Sequence, residues 1–184
     1  MKLKNAIRLL AVGFIFTLIN LNVSSGKTRI NMMPDFLGWI LIAIAVSMFG
    51  TYVKKKPFYV IGALILAVCE AALMIVAYLF PKMDLNLYRA GASLLIMIYV
   101  LFLFSLLEKI GKKEGYANYE AVRILKYVYL IVYIIFIALT LATDFLPLTA
   151  IKAITGVISA ISLLTAVITV IILLVMSFQI RKTE

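Results

Sequence analysis

One long apolar run with a single charge constrains this chain more than any other feature. The run covers Pro57–Phe80, and its only charged residue is Glu70. Because an α-helix rises about 1.5 Å per residue, a helix of this length matches a hydrocarbon layer about 30 Å thick and places Glu70 near its middle. An ionised carboxylate at that depth costs at least ~2.5 kcal/mol on insertion scales. The sequence therefore predicts a membrane-spanning helix whose acid faces other helices rather than lipid.

The composition extends this prediction to the whole chain. Of the 184 residues, 65% are hydrophobic and 14% are charged, whereas a soluble domain is about 45–50% apolar. The apolar excess is spread along the entire sequence. We therefore expect one transmembrane domain over residues 1–184, an all-α polytopic integral membrane helical bundle.

Six apolar runs are long enough, or nearly so, to cross a bilayer. The predicted spans are approximately residues 6–21, 35–53, 57–80, 87–107, 122–143 and 150–179. Thirteen of the 18 lysine and arginine residues fall in the segments that share a side with the amino terminus, and five fall in the others. Because basic residues mark the inner side, we expect six transmembrane helices with both termini cytoplasmic.

The first run has a second interpretation as a cleaved signal peptide. It begins with basic residues, continues with an apolar core and is followed by the small residues Val23, Ser24 and Ser25, which fit the requirements of a cleavage site. Cleavage would leave five spans in the same orientation. Retention of the first span is the favoured interpretation.

The net charge of +10 indicates a membrane surface as the partner. The basic residues form short clusters between apolar runs, which is typical of anchoring to anionic lipid and not of nucleic-acid binding. We expect contact with the lipid bilayer, with anionic phospholipid at the cytoplasmic face, and no nucleic-acid partner. The longest polar connection, Glu108–Lys126, is predicted to be a solvated loop that contacts lipid headgroups. Assembly as a homo-oligomer or with a partner membrane subunit stays open.

The residue types used in common catalytic sites are scarce. The chain has no histidine, and Cys69 is its only cysteine. Serine–histidine and cysteine–histidine nucleophiles, histidine metal sites and histidine proton relays are therefore excluded. We predict that the chain is not an enzyme and that it has no cofactor and no metal site.

Glu70 is the leading candidate for an ion-binding residue. Arg89 lies about one turn inside the outer end of the predicted fourth span, where its side chain is expected to reach toward Glu70. Ser159 and Ser162 follow helical spacing in the sixth span, together with Thr155 and Thr169. These hydroxyls either line a polar path or bond across helices. Glu70 is either a structural contact or a proton or cation site.

An aspartate stands near the start of the returning helix in each predicted outer hairpin. The three residues are Asp35, Asp84 and Asp144. An acid at this position caps free backbone amides and complements the positive end of the helix dipole, and capping is the favoured interpretation. The alternative is an acidic outer mouth that concentrates cations.

The segment Asn31–Trp39 contains Pro-Asp-Phe, an aliphatic residue, Gly and an aromatic residue in succession. It resembles a segment of small uncharacterised multi-span proteins of Gram-positive bacteria. The resemblance implies a multi-pass protein of the bacterial cytoplasmic membrane, and it implies no particular activity. Independently of it, Gly38 is expected to permit close helix packing, and Trp39 to anchor the helix at the outer interface.

The leading functional hypothesis is a small permease or channel-like protein for an ion or small solute, with Glu70 as the charge-bearing site. The competing hypothesis is a non-transporting accessory or lipid-interacting membrane subunit, in which the polar residues serve packing alone. A polar cavity that reaches Glu70 from one side would favour the first, and complete enclosure of Glu70 would favour the second.

Overall fold

The structure, a computed structural model, describes residues 2–18, 22–25, 28–31, 35–53, 56–80, 85–116, 119–142 and 148–179. The six α-helices in these ranges are α1 Lys2–Leu18, α2 Asp35–Ser47, α3 Lys56–Leu79, α4 Asn86–Lys113, α5 Tyr119–Leu141 and α6 Leu148–Gln179. They confirm the predicted helical class.

Four of the helices are long and apolar enough to cross a membrane. The qualifying segments are Lys56–Leu79, Leu87–Lys113, Tyr119–Leu141 and Ala160–Gln179. With 17 residues in α1 and 13 in α2, these two helices rise only about 25 Å and 20 Å. The predicted second span, residues 35–53, is therefore interrupted: α2 stops at Ser47 and a short 3₁₀ helix covers Gly50–Tyr52.

A short strand pair departs from the expected all-α chain. Strands β1 Asn22–Ser25 and β2 Thr28–Asn31 pair in antiparallel register, with Val23 opposite Ile30. β-branched residues occur in both strands, and these residues favour extended backbone. The polar connection between α1 and α2 thus satisfies part of its backbone hydrogen bonding internally.

The chain divides into two compact units. One comprises Met1–Ala72 and Val170–Glu184, and the other Leu73–Thr169. A single domain over residues 1–184 stays a prediction.

In the first unit, α1 packs against α2 through two glycines. A Cβ atom added to Gly38 would lie 2.7 Å from the carbonyl oxygen of Gly13 and 2.8 Å from the backbone nitrogen of Thr17. The backbones are therefore in direct contact, as expected for small residues between membrane helices. Gly38 permits close packing as predicted. Trp39 is only 3% exposed, so it packs inside the unit, and its prediction as an interfacial anchor is wrong.

In the second unit, α4 and α5 form a helical hairpin. Its core is made of large apolar side chains from both helices, which include Leu103, Phe104, Leu107, Val122 and Leu125. Between the helices, Gly115 adopts a positive φ of 66°, a conformation that glycine reaches without steric cost. This turn brings the charged ends of α4 and α5 together.

Candidate functional site

Glu70 continues the buried face of α3. The buried residues of this helix are Ala63, Leu66 and Ala67, which precede Glu70 by seven, four and three residues. Positions at these spacings share one side of a helix. Glu70 is half-buried, whereas Val68 on the opposite side is exposed. The acid is therefore on the side of α3 that packs against protein.

The carboxyl of Asp35 interacts electrostatically with Glu70. Asp35 lies in the first turn of α2, where a negative charge complements the helix dipole. Its Oδ1 atom is buried and accepts no hydrogen bond from any of the described residues. A buried oxygen without a donor costs free energy. The sequence prediction of capping therefore leaves this oxygen unexplained.

The shortness of α2 is compatible with an interaction between the two acids. Asp35 is about 18 Å along α2 from its end at Ser47, and Glu70 is about 21 Å along α3 from its start at Lys56. Along its own helix, each acid is thus a similar distance from the connection that joins α2 to α3. The sequence analysis favoured capping for Asp35, with an acidic outer mouth as the alternative, and did not pair it with Glu70.

The other candidate residues from the sequence lie in the second unit or outside the described residues. Arg89 is exposed on α4 in the second unit, and its pairing with Glu70 stays a prediction. Ser162 is half-buried on α6. Asp84 and Asp144 lie outside the described residues, as does the side chain of Ser159.

A hydroxyl contact between α5 and α6 was only partly anticipated. The hydroxyl oxygens of Thr169 and Tyr129 are 3.2 Å apart, and that of Thr169 is 2.8 Å from the carbonyl oxygen of Thr165. A threonine hydroxyl has one hydrogen and a carbonyl only accepts. Thr169 therefore donates to Thr165 and accepts from Tyr129. The stripe of hydroxyls on α6 predicted Thr169 as a bonding residue, but nothing in the sequence identified its partner.

The aromatic ring of Tyr129 is also enclosed by other rings. Its centroid is 5.3 Å from that of Phe104 and 6.2 Å from that of Tyr133. These separations are typical of favourable aromatic pairs. The Tyr129 group is therefore a packing cluster that includes the hydrogen bond between Tyr129 and Thr169.

A charged cluster at the α4–α5 turn was missed by the sequence analysis. Arg123 donates from Nε to Oε1 of Glu108 over 2.8 Å, and its Nη2 is 2.8 Å from the same oxygen. The Nζ atoms of Lys126 and Lys112 lie 3.5 Å and 3.8 Å from the carboxylate. Within the predicted loop Glu108–Lys126, residues 108–113 belong to α4 and residues 119–126 to α5, so among the described residues only 114–116 lie outside a helix. The i, i+4 spacing of Glu108 and Lys112 was the available signal.

The described residues contain no group of three or more His, Cys, Asp or Glu side chains that could hold a metal ion. Their carboxylates therefore occur singly, as the paired Asp35 and Glu70, or within the basic cluster around Glu108. No family model matches the chain, and neither a curated protein nor a solved structure matches it.

Proposed function

We propose that this chain is a small permease or channel-like protein for a cation, with Glu70 as the charge-bearing site and Asp35 as a second carboxyl. The observation that carries the proposal is the buried Oδ1 atom of Asp35, which has no hydrogen-bond donor among the described residues, in a carboxyl that interacts electrostatically with Glu70. Two nearby carboxylates in a poorly solvated place cannot both stay ionised cheaply. A shared proton or a bound cation relieves that repulsion.

The position of Glu70 supports the same proposal. Because only Ala63, Leu66 and Ala67 of α3 are buried and Glu70 lies on the same side of the helix, Glu70 is expected to face protein rather than lipid. Intramembrane acids that avoid lipid commonly mark ion pathways or proton relays. For its neighbour Asp35, a purely structural role would be expected to leave the buried oxygen bonded, whereas Oδ1 has no donor among the described residues.

The topology belongs to the proposal as well. We infer six crossings in a bacterial cytoplasmic membrane, with the short α2 accommodated by local thinning of the bilayer. An even number of crossings, whether four or six, places both termini on the same side of the membrane. Two single-cysteine variants, Lys2→Cys and Lys182→Cys, are made in a Cys69→Ser background. In intact cells, neither is expected to react with a membrane-impermeant maleimide until the membrane is permeabilised. Labelling of either residue from outside would contradict this topology.

Flux measurements test the function. Full-length protein is reconstituted into liposomes, and uptake of H⁺, Na⁺ and K⁺ is followed with ion-sensitive dyes. Glu70→Gln and Asp35→Asn are expected to slow transport about tenfold or more, the factor that corresponds to losing ~1.4 kcal/mol of charge–cation interaction. Glu120→Gln is the matched control, because Glu120 is an exposed acid near the start of α5.

Each outcome of this experiment has a defined meaning. Unchanged flux in Glu70→Gln would remove Glu70 from the mechanism. Equal slowing by Glu120→Gln would indicate a general effect of charge. If wild-type protein moves none of the three cations, the role as a non-transporting accessory or lipid-interacting subunit replaces the proposal.

A further inference from the structure

Three cations surround a single carboxylate at the α4–α5 turn. The side chain of Glu108 is 13% exposed, whereas those of Lys112 and Arg123 are 49% and 41% exposed. The side chain of Lys126 is intermediate, at 18%. The negative group thus lies beneath the positive groups. Glu120 also interacts electrostatically with Arg123, and three cations against two carboxylates still leave an excess of positive charge. The accessible surface of this group, which we call the Glu108 cluster (Glu108, Lys112, Arg123 and Lys126), is therefore cationic.

The cations of the Glu108 cluster are held in place before any ligand arrives. The carboxylate orients the guanidinium of Arg123 through two contacts of 2.8 Å. The ammonium of Lys112 lies 5.2 Å from the ring centroid of Tyr119, and that of Lys126 lies 5.2 Å from the centroid of Tyr127. Cation–π contacts at this range are attractive. Side chains ordered in advance lose less entropy when they bind a ligand.

The depth of the Glu108 cluster places it at the boundary between hydrocarbon and headgroups. After Lys126, the sequence has no charged residue until Asp144. The uncharged segment between them would rise about 26 Å as a helix, slightly less than the ~30 Å hydrocarbon layer. Lys126 therefore lies at the edge of the hydrocarbon, and Arg123 lies about one turn further toward water.

An exposed apolar strip adjoins the cations. Ile124, Tyr127 and Ile131 are exposed on α5, and their spacing of three and four residues puts them on one side of the helix. This strip runs from the level of Arg123 toward the middle of the membrane. A molecule with an anionic head and an acyl chain matches both parts of the surface at once.

We infer that the Glu108 cluster binds the phosphate of an anionic phospholipid in the leaflet on the α4–α5 turn side, with its acyl chain along the strip of Ile124, Tyr127 and Ile131. Arg123 and Lys112 supply the exposed donors to the phosphate. Glu108 has no contact with the lipid and acts as a positioning residue for the cations. This site is independent of the ion path proposed at Glu70.

Native mass spectrometry of the full-length protein in a zwitterionic detergent tests the inference. The probes are phosphatidylglycerol and phosphatidylcholine with identical acyl chains. Wild-type protein is expected to retain phosphatidylglycerol preferentially. Lys112→Gln and Arg123→Gln are each expected to weaken its binding about fivefold, the effect of one basic residue near an anionic surface. Lys109→Gln is the matched control, because Lys109 is an exposed lysine on the same helix end outside the Glu108 cluster.

Three results would overturn the inference. The first is equal retention of the two lipids by wild-type protein. The second is a loss in Lys109→Gln as large as in Lys112→Gln, which would indicate net charge without a site. The third is displacement of phosphatidylglycerol by millimolar glycerol 3-phosphate, which would indicate a water-soluble phosphate as the ligand. If Arg123→Gln fails to fold, Lys112→Gln decides, since Lys112 makes the longest contact to the carboxylate.

Discussion

The glycine contact between α1 and α2 allows a quantitative prediction for Gly38→Ala. The new Cβ atom would lie 2.5 Å from Cγ2 of Thr17, 2.7 Å from the carbonyl oxygen of Gly13 and 2.8 Å from the nitrogen of Thr17. Ordinary van der Waals contact begins at 3.4 Å. Two of the three atoms belong to the backbone of α1, so a rotamer change cannot relieve the clash. The helices must move apart by roughly 0.5–1 Å, the range over which dispersion contacts lose a quarter to a half of their energy.

Two opposing effects determine the size of the change. Overpacking of a well-packed interface typically costs ~1–3 kcal/mol. Alanine favours a helix over glycine by up to ~1 kcal/mol, which offsets part of this loss. We therefore expect Gly38→Ala to lower the free energy of unfolding by about 1–2 kcal/mol.

Unfolding in mixed micelles with increasing SDS measures this change. Trp39 is the only tryptophan, it follows Gly38 directly, and it is buried, so its fluorescence reports on the separation of α1 and α2. Gly91→Ala is the matched control, because a Cβ added there meets nothing within 4 Å. This control is expected to be neutral or stabilising by up to ~1 kcal/mol.

The reasoning would be refuted if Gly38→Ala unfolded at the same SDS fraction as both wild type and Gly91→Ala. That result would mean that the backbones of α1 and α2 are not in contact at Gly38. A greater loss than 3 kcal/mol would instead indicate that separation of the helices disrupts more than this crossing point.

Three further substitutions test other contacts in the same unfolding assay followed by circular dichroism. Tyr129→Phe is expected to cost about 1 kcal/mol because it removes the buried hydroxyl that bonds Thr169, and Tyr78→Phe, at an exposed position, should change nothing. Glu108→Gln is expected to cost about 1–2 kcal/mol because it weakens charge-assisted bonds to three cations; an equal loss in Glu114→Gln would contradict this. Gly115→Ala should cost about 1 kcal/mol because L-residues disfavour its positive φ, and an unchanged midpoint would exclude strain in this turn.

The apolar runs predicted most helix positions because hydrocarbon thickness restricts both length and composition. The prediction for the third span, residues 57–80, differs from α3 by one residue at each end, since Pro57 and Pro81 mark both boundaries. The end of α4 was misplaced because we stopped the helix where the apolar run stops. Outside hydrocarbon, a helix continues when charged side chains support it, as Glu108 and Lys112 do at i, i+4.

The end of α2 was misplaced for the opposite reason. Met48, Phe49 and Val53 continue the apolar run after Ser47, so hydropathy alone extends the helix. The hydroxyl of Ser47 donates to the carbonyl of Ile44 over 2.7 Å, and Gly50 adopts a φ of 57°. Local hydrogen bonding of this kind competes with helical backbone bonds. Serine and glycine were visible in the sequence, but within an apolar run they do not by themselves predict a helix end.

The relation between Asp35 and Glu70 depends on that misplaced end, and this explains why the sequence could not reveal it. With a second span over residues 35–53, Asp35 would lie about 27 Å from the inner end of the helix, near the outer surface and well beyond the level of Glu70. Because α2 ends at Ser47, Asp35 lies about 18 Å from the end of its own helix, close to the roughly 21 Å that separates Glu70 from the start of α3. The longer span predicts a hydrated Asp35, where capping explains the residue. In the structure, Oδ1 of Asp35 is buried and has no donor among the described residues. Under the function proposed above, a shared proton or a bound cation offsets the repulsion between the two carboxyls, whereas packing alone would favour separating them.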